Sequence, residues 1–166
     1  MTVRTYGFGR PVKYEEISPG MLIAGKWQDR KVLGLGFATE RETLVAVFDH
    51  SGDEDPLPPY VIQPHELNAT AVMIPGDRVI TPAQGDASFP LLPQRRVALE
   101  GLVICSDGSV AVAVNYRDFA RDKFLLLDFD TGEPVDRVVQ VAVLPDWQLF
   151  VVEEGQTTRR RVSASA

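Results

Sequence analysis

The segment Asp49-His50-Ser51-Gly52-Asp53-Glu54-Asp55 places four carboxylates and an imidazole within seven residues. Hard divalent cations need several oxygens converging on one point, so such a cluster is the first candidate for metal chemistry. Its spacing does not follow the Asp-rich calcium loop, which carries ligands at alternate positions and a distant Glu. A solvated hairpin loop uses the same residues, because Asp and Gly tolerate turn conformations. Nor can His50 and His65 share a zinc ion if strands near 43–49 and 59–63 pair as a hairpin turning near Glu54. His50 then faces about residue 58 and His65 about residue 43, roughly 23 Å apart at about 3.3 Å per residue. Cys105 is the single cysteine, which excludes an intramolecular disulfide and a thiolate zinc cluster. The sequence therefore predicts no metal and no cofactor.

Asp130-Thr131-Gly132 follows the apolar stretch Leu125-Leu126-Leu127-Asp128-Phe129. This tripeptide resembles the catalytic loop of aspartic proteases, a family of two β lobes in which paired carboxylates share a proton. The resemblance would imply Asp130 as one of that pair. Glu133 stands where the family has a small residue, and the first half has no second Asp-Thr-Gly near Tyr60–Gln63. Asp-Thr-Gly-Glu also makes good turn chemistry, with Gly in the left-handed position. On a strand, Asp128 and Asp130 would share a solvent face while Leu125, Leu127 and Phe129 face the core. Cys105 ends an apolar run with no histidine nearby in sequence and reads as a small core residue. Gly7-Phe8-Gly9-Arg10 lacks the strand and helix that a phosphate cradle requires. Trp27 and Trp147 read as core residues.

The elements that must position these groups are short. Apolar runs occupy residues 20–25, 31–38, 43–49, 59–63, 69–75, 78–82, 96–105, 109–116, 123–129, 135–144 and 147–153. Turn residues separate many of them, as in Ser106-Asp107-Gly108 and Asp130-Thr131-Gly132. Twelve prolines argue against long helices. The pattern is that of short strands.

An internal repeat organises the runs. Residues 34–47, GLGFATERETLVAV, align without gaps on residues 101–114, GLVICSDGSVAVAV. Ala71-Val72-Met73-Ile74-Pro75 similarly resembles Ala142-Val143-Leu144-Pro145. The fold class expected is all-β, with two tandem similar small units, each a five-stranded barrel-like or half-sandwich structure. The expected boundaries are an N-terminal arm at 1–30, a first unit at 31–82, a connector at 83–95, a second unit at 96–155 and a disordered tail at 156–166.

The chain has 166 residues, 45% of them hydrophobic, enough for a real core. Its net charge of −6 argues against a nucleic-acid partner. Residues 1–16 contain no signal-like apolar stretch, and no run has the length of a membrane span, so the expected location is the cytoplasm and no membrane contact is expected. Without a nucleophile–base pair or phosphate loop, the reading is a non-enzymatic module that binds another protein or itself. Its expected contact residues lie at the two equivalent loops 50–58 and 117–122, namely Asp49, His50, Asp53, Glu54, Asp55, Arg117 and Asp118. The alternatives are a carboxylate- or metal-dependent hydrolase and a sugar-binding, propeller-like oligomer.

Overall fold

The computed structural model describes residues 9–51, 60–67, 71–82, 101–105, 107–118, 121–135, 141–143, 147–152, 154–155, 157 and 159–162. The protein is all-β, with antiparallel strands throughout. A six-stranded sheet contains β1 (Arg10–Pro11), β2 (Leu22–Trp27), β3 (Arg30–Ala38), β4 (Thr43–Ser51), β5 (Tyr60–Ile62) and β6 (Val72–Met73), in the order β1-β6-β2-β3-β4-β5. A four-stranded sheet contains β8 (Gly101–Cys105), β9 (Val110–Asp118), β10 (Arg121–Asp128) and β11 (Val141–Val143), in the order β10-β9-β8-β11. The third sheet joins the halves: β7 (Asp77–Pro82) pairs with β12 (Trp147–Val152), which also pairs with β13 (Arg159–Val162). The only helical elements among the described residues are two single 3-10 turns, Tyr14–Glu16 and Pro64–Glu66.

Strand alternation explains the layers. Leu33, Leu35 and Phe37 on β3, with Leu44, Ala46 and Phe48 on β4, enter a central core. Leu102, Val112, Val114 and Leu127 enter it from the four-stranded sheet, and Leu149, Val151 and Val162 from the third. The two halves therefore share one core. Aromatic contacts bind it across the sheets: Phe48 packs edge-on to Phe129 at 5.3 Å between centroids and lies 5.8 Å from Trp147. Such pairs each add about 0.5–1.5 kcal/mol beyond area burial. The outer face of β2–β5 carries Ile23, Val32, Val45, Val47 and Ile62, covered by Val12, Ile17, Leu67 and Ala71.

The sheets are open rather than closed barrels, so the half-sandwich form of the expected unit is the one present. The two repeats are both hairpins, β3–β4 and β8–β9, and in each half the following strand, β5 or β10, continues outward in the same order. Their registers differ by one residue: Leu35 lies opposite Ala46, whereas Leu102 lies opposite Val112. A one-residue shift exchanges faces. Val45 and Val47 accordingly point to the outer layer, while Val112 and Val114 point to the central core.

Two expected boundaries are corrected. The arm at 1–30 is not separate over its described part: β2 sits inside the first sheet, with Leu22, Ile23 and Ala24 buried, and turns directly into β3 through Gln28 and Asp29. Both turn residues have positive φ, 46° and 65°, as a tight two-residue hairpin of matching twist requires. The tail is not disordered throughout: Arg159–Val162 forms β13, because Val162 lies opposite Leu149 and is buried at 1% exposure. The connector 83–95 lies outside the described residues.

Candidate functional site

A cleft of about 710 Å³ opens between the six-stranded and four-stranded sheets. Its walls are the β3–β4 hairpin end with Thr39–Glu42, the edge strand β5 with Gln63 and Glu66, and part of the four-stranded sheet. Thr39 shapes the hairpin end: its Oγ1 accepts from the Arg41 and Glu42 amides and donates to the Glu42 carbonyl. Tyr116 and Leu125 line the cleft from the inner face of β9 and β10. They stand in line with fully buried Val114 and Leu127 but are only half-buried, with Tyr116 edge-on to Phe37 of the first sheet at 6.2 Å between centroids.

Three carboxylates surround the cleft, Glu40, Glu42 and Glu66, with Arg41 among them. Two are held in place. Glu42 accepts from Gln63 Nε2 at 2.9 Å, and Glu66 Oε2 accepts from the Gln63 amide at 2.6 Å. Glu66 Oε1 also accepts from Trp27 Nε1 at 3.5 Å. Trp27 in turn packs on Tyr60, with ring centroids 4.8 Å apart. Burial pushes the Tyr60 phenol above its ordinary pKa, against an opposing pull from Arg30, and its buried hydroxyl finds no hydrogen-bond partner among the described residues.

The expected contact residues lie elsewhere. Asp49 and His50 occupy β4 opposite Leu33 and Val32. Asp53, Glu54 and Asp55 lie outside the described residues. Arg117 and Asp118 belong to β9, paired with Asp122 and Arg121, so 117–122 is mostly strand rather than loop. Asp49 and the Arg117–Asp118 pair thus sit on different sheets. The β4–β5 ladder runs only from Val45–Ile62 to Val47–Tyr60; His50 lies further along β4, and His65 lies beyond the other end in the 3-10 turn Pro64–Glu66. Among the described residues no group of three His, Cys, Asp or Glu converges as a metal site.

The Asp-Thr-Gly stretch is a turn. Asp128 ends β10, and its Oδ1 accepts from the Asp130 and Thr131 amides and from Thr131 Oγ1. The Gly132 amide donates to the Asp128 carbonyl, and Gly132 has φ of 69°. Asp130 is exposed in that turn, so Asp128 and Asp130 do not form a pair on one strand face.

No family model, curated protein or solved structure matches the chain. Among the described residues no helix is long and apolar enough to cross a membrane. The site therefore has to be judged on its own geometry. Sequence reasoning passed over Glu42, Tyr60, Glu66 and Tyr116. A signal for Glu66 was present: Gln63-x-x-Glu66 repeats the form of Lys13-x-x-Glu16, whose glutamate likewise accepts from the amide three residues earlier at 3.0 Å. Each pair opens a 3-10 turn followed by a buried apolar residue, Ile17 or Leu67.

Cys105 is buried at 4% exposure between Val103, Ala111 and Ala113. Burial raises its pKa above the ordinary thiol value, opposed by a hydrogen bond to Ser109. Folding favours the thiol over the thiolate. This contribution is complete below the ordinary thiol pKa and is lost as pH rises through the elevated folded value. Native protein at pH 8 should react with an aromatic disulfide reagent about 100-fold more slowly than the urea-unfolded chain, since labelling waits on core opening. Equal rates would show an accessible thiolate.

Proposed function

We propose that the chain is a non-enzymatic protein-binding or assembly module, with the cleft between the two sheets as its contact surface. The observation that carries this reading is the partial exposure of Tyr116 and Leu125 where they line the cleft. Apolar side chains in a concave site with few, oriented polar groups are the usual ingredients of a binding surface. The carboxylates beside them are already hydrogen-bonded to Gln63 and Trp27, which suits recognition better than proton transfer. Small β units commonly offer edges and grooves to partners.

The test is a block placed in the cleft. Glu42 lines it, is exposed and points across it to Gln63, so Glu42→Trp adds bulk there without disturbing the core. Tagged wild-type and variant proteins are recovered from the source cells, and any stoichiometric partner is identified by mass spectrometry and reconstituted with purified protein. Loss of the reconstituted complex in Glu42→Trp, at an unchanged melting temperature, supports the reading. A partner bound equally by both proteins removes the cleft from it, and a protein recovered alone removes the module itself.

A further inference from the structure

We propose that the cleft receives an extended, basic segment of a partner protein, laid along the edge of β5 as an added strand; this rests on the binding-module reading above. Three observations lead to that occupant. The first is the edge. β5 closes one side of the six-stranded sheet, and its residues Val61 and Ile62 form a wall of the cleft. An edge strand presents main-chain donors and acceptors outward, which an extended peptide can complete as a further ladder.

The second is the charge. Glu40, Glu42 and Glu66 surround the cleft against a single arginine, Arg41, and the whole chain carries −6. An acidic segment would meet repulsion here, and a basic one would be drawn in. The hydrogen bonds from Gln63 and Trp27 fix two of the three carboxylates before any ligand arrives, which lowers the ordering that binding requires.

The third is the alternation. An added strand turns successive side chains to opposite faces. One set would reach the glutamates at the rim. The other would face Leu44, Tyr116 and Leu125, which supply an apolar floor. The occupant is therefore a segment in which lysine or arginine alternates with apolar residues. The cleft volume of about 710 Å³ accommodates several side chains.

The probe is a fluorescein-labelled octapeptide of alternating lysine and valine, measured by fluorescence anisotropy against the full chain at low salt. Two controls accompany it, a glutamate–valine octapeptide and a block peptide with four lysines followed by four valines. The lysine–valine peptide should bind with Kd of about 10–100 μM, and the controls much more weakly. Replacing Glu40 and Glu42 by Gln should weaken it about fivefold to tenfold. Glu15 and Glu154 are exposed and do not line the cleft, so Glu15→Gln with Glu154→Gln removes the same charge and should leave Kd unchanged. Amide exchange at Val61 and Ile62 should slow when the peptide is bound.

Equal weakening by the two double variants would overturn the proposal, because general attraction to an acidic protein would then explain the binding. Binding of the block peptide as tightly as the alternating one, or exchange at β5 that does not change, would overturn the added strand. Absence of lysine–valine binding, with a cellular partner still lost on Glu42→Trp, would overturn the basic segment and leave the binding-module reading standing.

Discussion

Gly132→Ala should destabilise the protein by about 3–5 kcal/mol, whereas Gly108→Ala should cost about 1 kcal/mol. Both glycines have left-handed backbones, with φ of 69° and 85°. An L side chain pays a similar conformational penalty at each. What differs is the space. A Cβ on Gly108 would meet nothing within 4 Å. A Cβ on Gly132 would sit 2.3 Å from the Gly36 carbonyl oxygen and 2.4 Å from the Gly20 amide nitrogen. Those two atoms are themselves hydrogen-bonded at 2.9 Å. The turn after β10 thus rests directly on a backbone hydrogen bond of the first sheet, and backbone cannot rotate away as a side chain can. Relief requires lifting the turn, which strains the Asp128 bonds that hold it and loosens Phe129 beneath Phe48. Urea denaturation of the two variants checks this, and the larger loss corresponds to a melting drop of roughly 6–20 °C for a chain of this size. Equal losses in both variants would mean that the turn does not seat on Gly20 and Gly36.

That junction was not legible in the sequence, although most of the strands were. Each of the eleven apolar runs overlaps one of the strands β2 to β12, because strand formation here follows local apolar density and turn residues. The β4–β5 pairing was legible to within one residue: the expected register puts Ile62 opposite Ala46, and the ladder pairs it with Val45, while His65 falls in the following 3-10 turn. β1 and β13 were missed for a physical reason. Arg10–Pro11 and Arg159–Val162 carry almost no apolar signal, and they are strands because a neighbouring edge pairs with them. The repeat located both hairpins but not their difference in register. Thr39 and Glu42 are hydrogen-bonded backbone to backbone and leave two residues between them, while the likewise bonded Cys105 and Ser109 leave three. A gapless alignment of residue types is blind to that difference. The cleft was hidden for another reason. Tyr116 and Leu125 alternate like core residues, and nothing local marks them as the half-buried lining of a cleft between sheets. Glu42, Gln63 and Glu66 come together across the β4–β5 pairing, which no local spacing announces.

Arg78→Met should lower stability by about 3 kcal/mol, and Arg78→Lys should recover no more than about 1 kcal/mol of it. Arg78 occupies an inward-facing position on β7, two residues from Ile80 and opposite Val151, where alternation calls for an apolar side chain. Its guanidinium instead reaches past the core edge. Nη1 donates to the Phe129 carbonyl and Nη2 to the Gly20 carbonyl, and the group lies 5.4 Å from the Phe129 ring centroid. Burial lowers its pKa, while Asp130 and Asp128 act against that and favour the charged form. The planar fork therefore ties three parts of the chain: β7, the segment before β2 and the turn after β10. Methionine fills the space but leaves two partly buried carbonyls without their donor, each worth about 1–3 kcal/mol. Lysine keeps the charge on a single nitrogen and cannot serve both carbonyls in the fork geometry. Trp27 and Trp147 lie in the first and third sheets, so single-tryptophan variants, with the other residue changed to Phe, report on each half. In the wild type both probes should unfold at the same urea concentration, because Leu35, Val112 and Leu149 belong to one core. In Arg78→Met the two midpoints should fall together. A fall confined to the Trp147 probe would show that the guanidinium stabilises the second half alone and does not join the two.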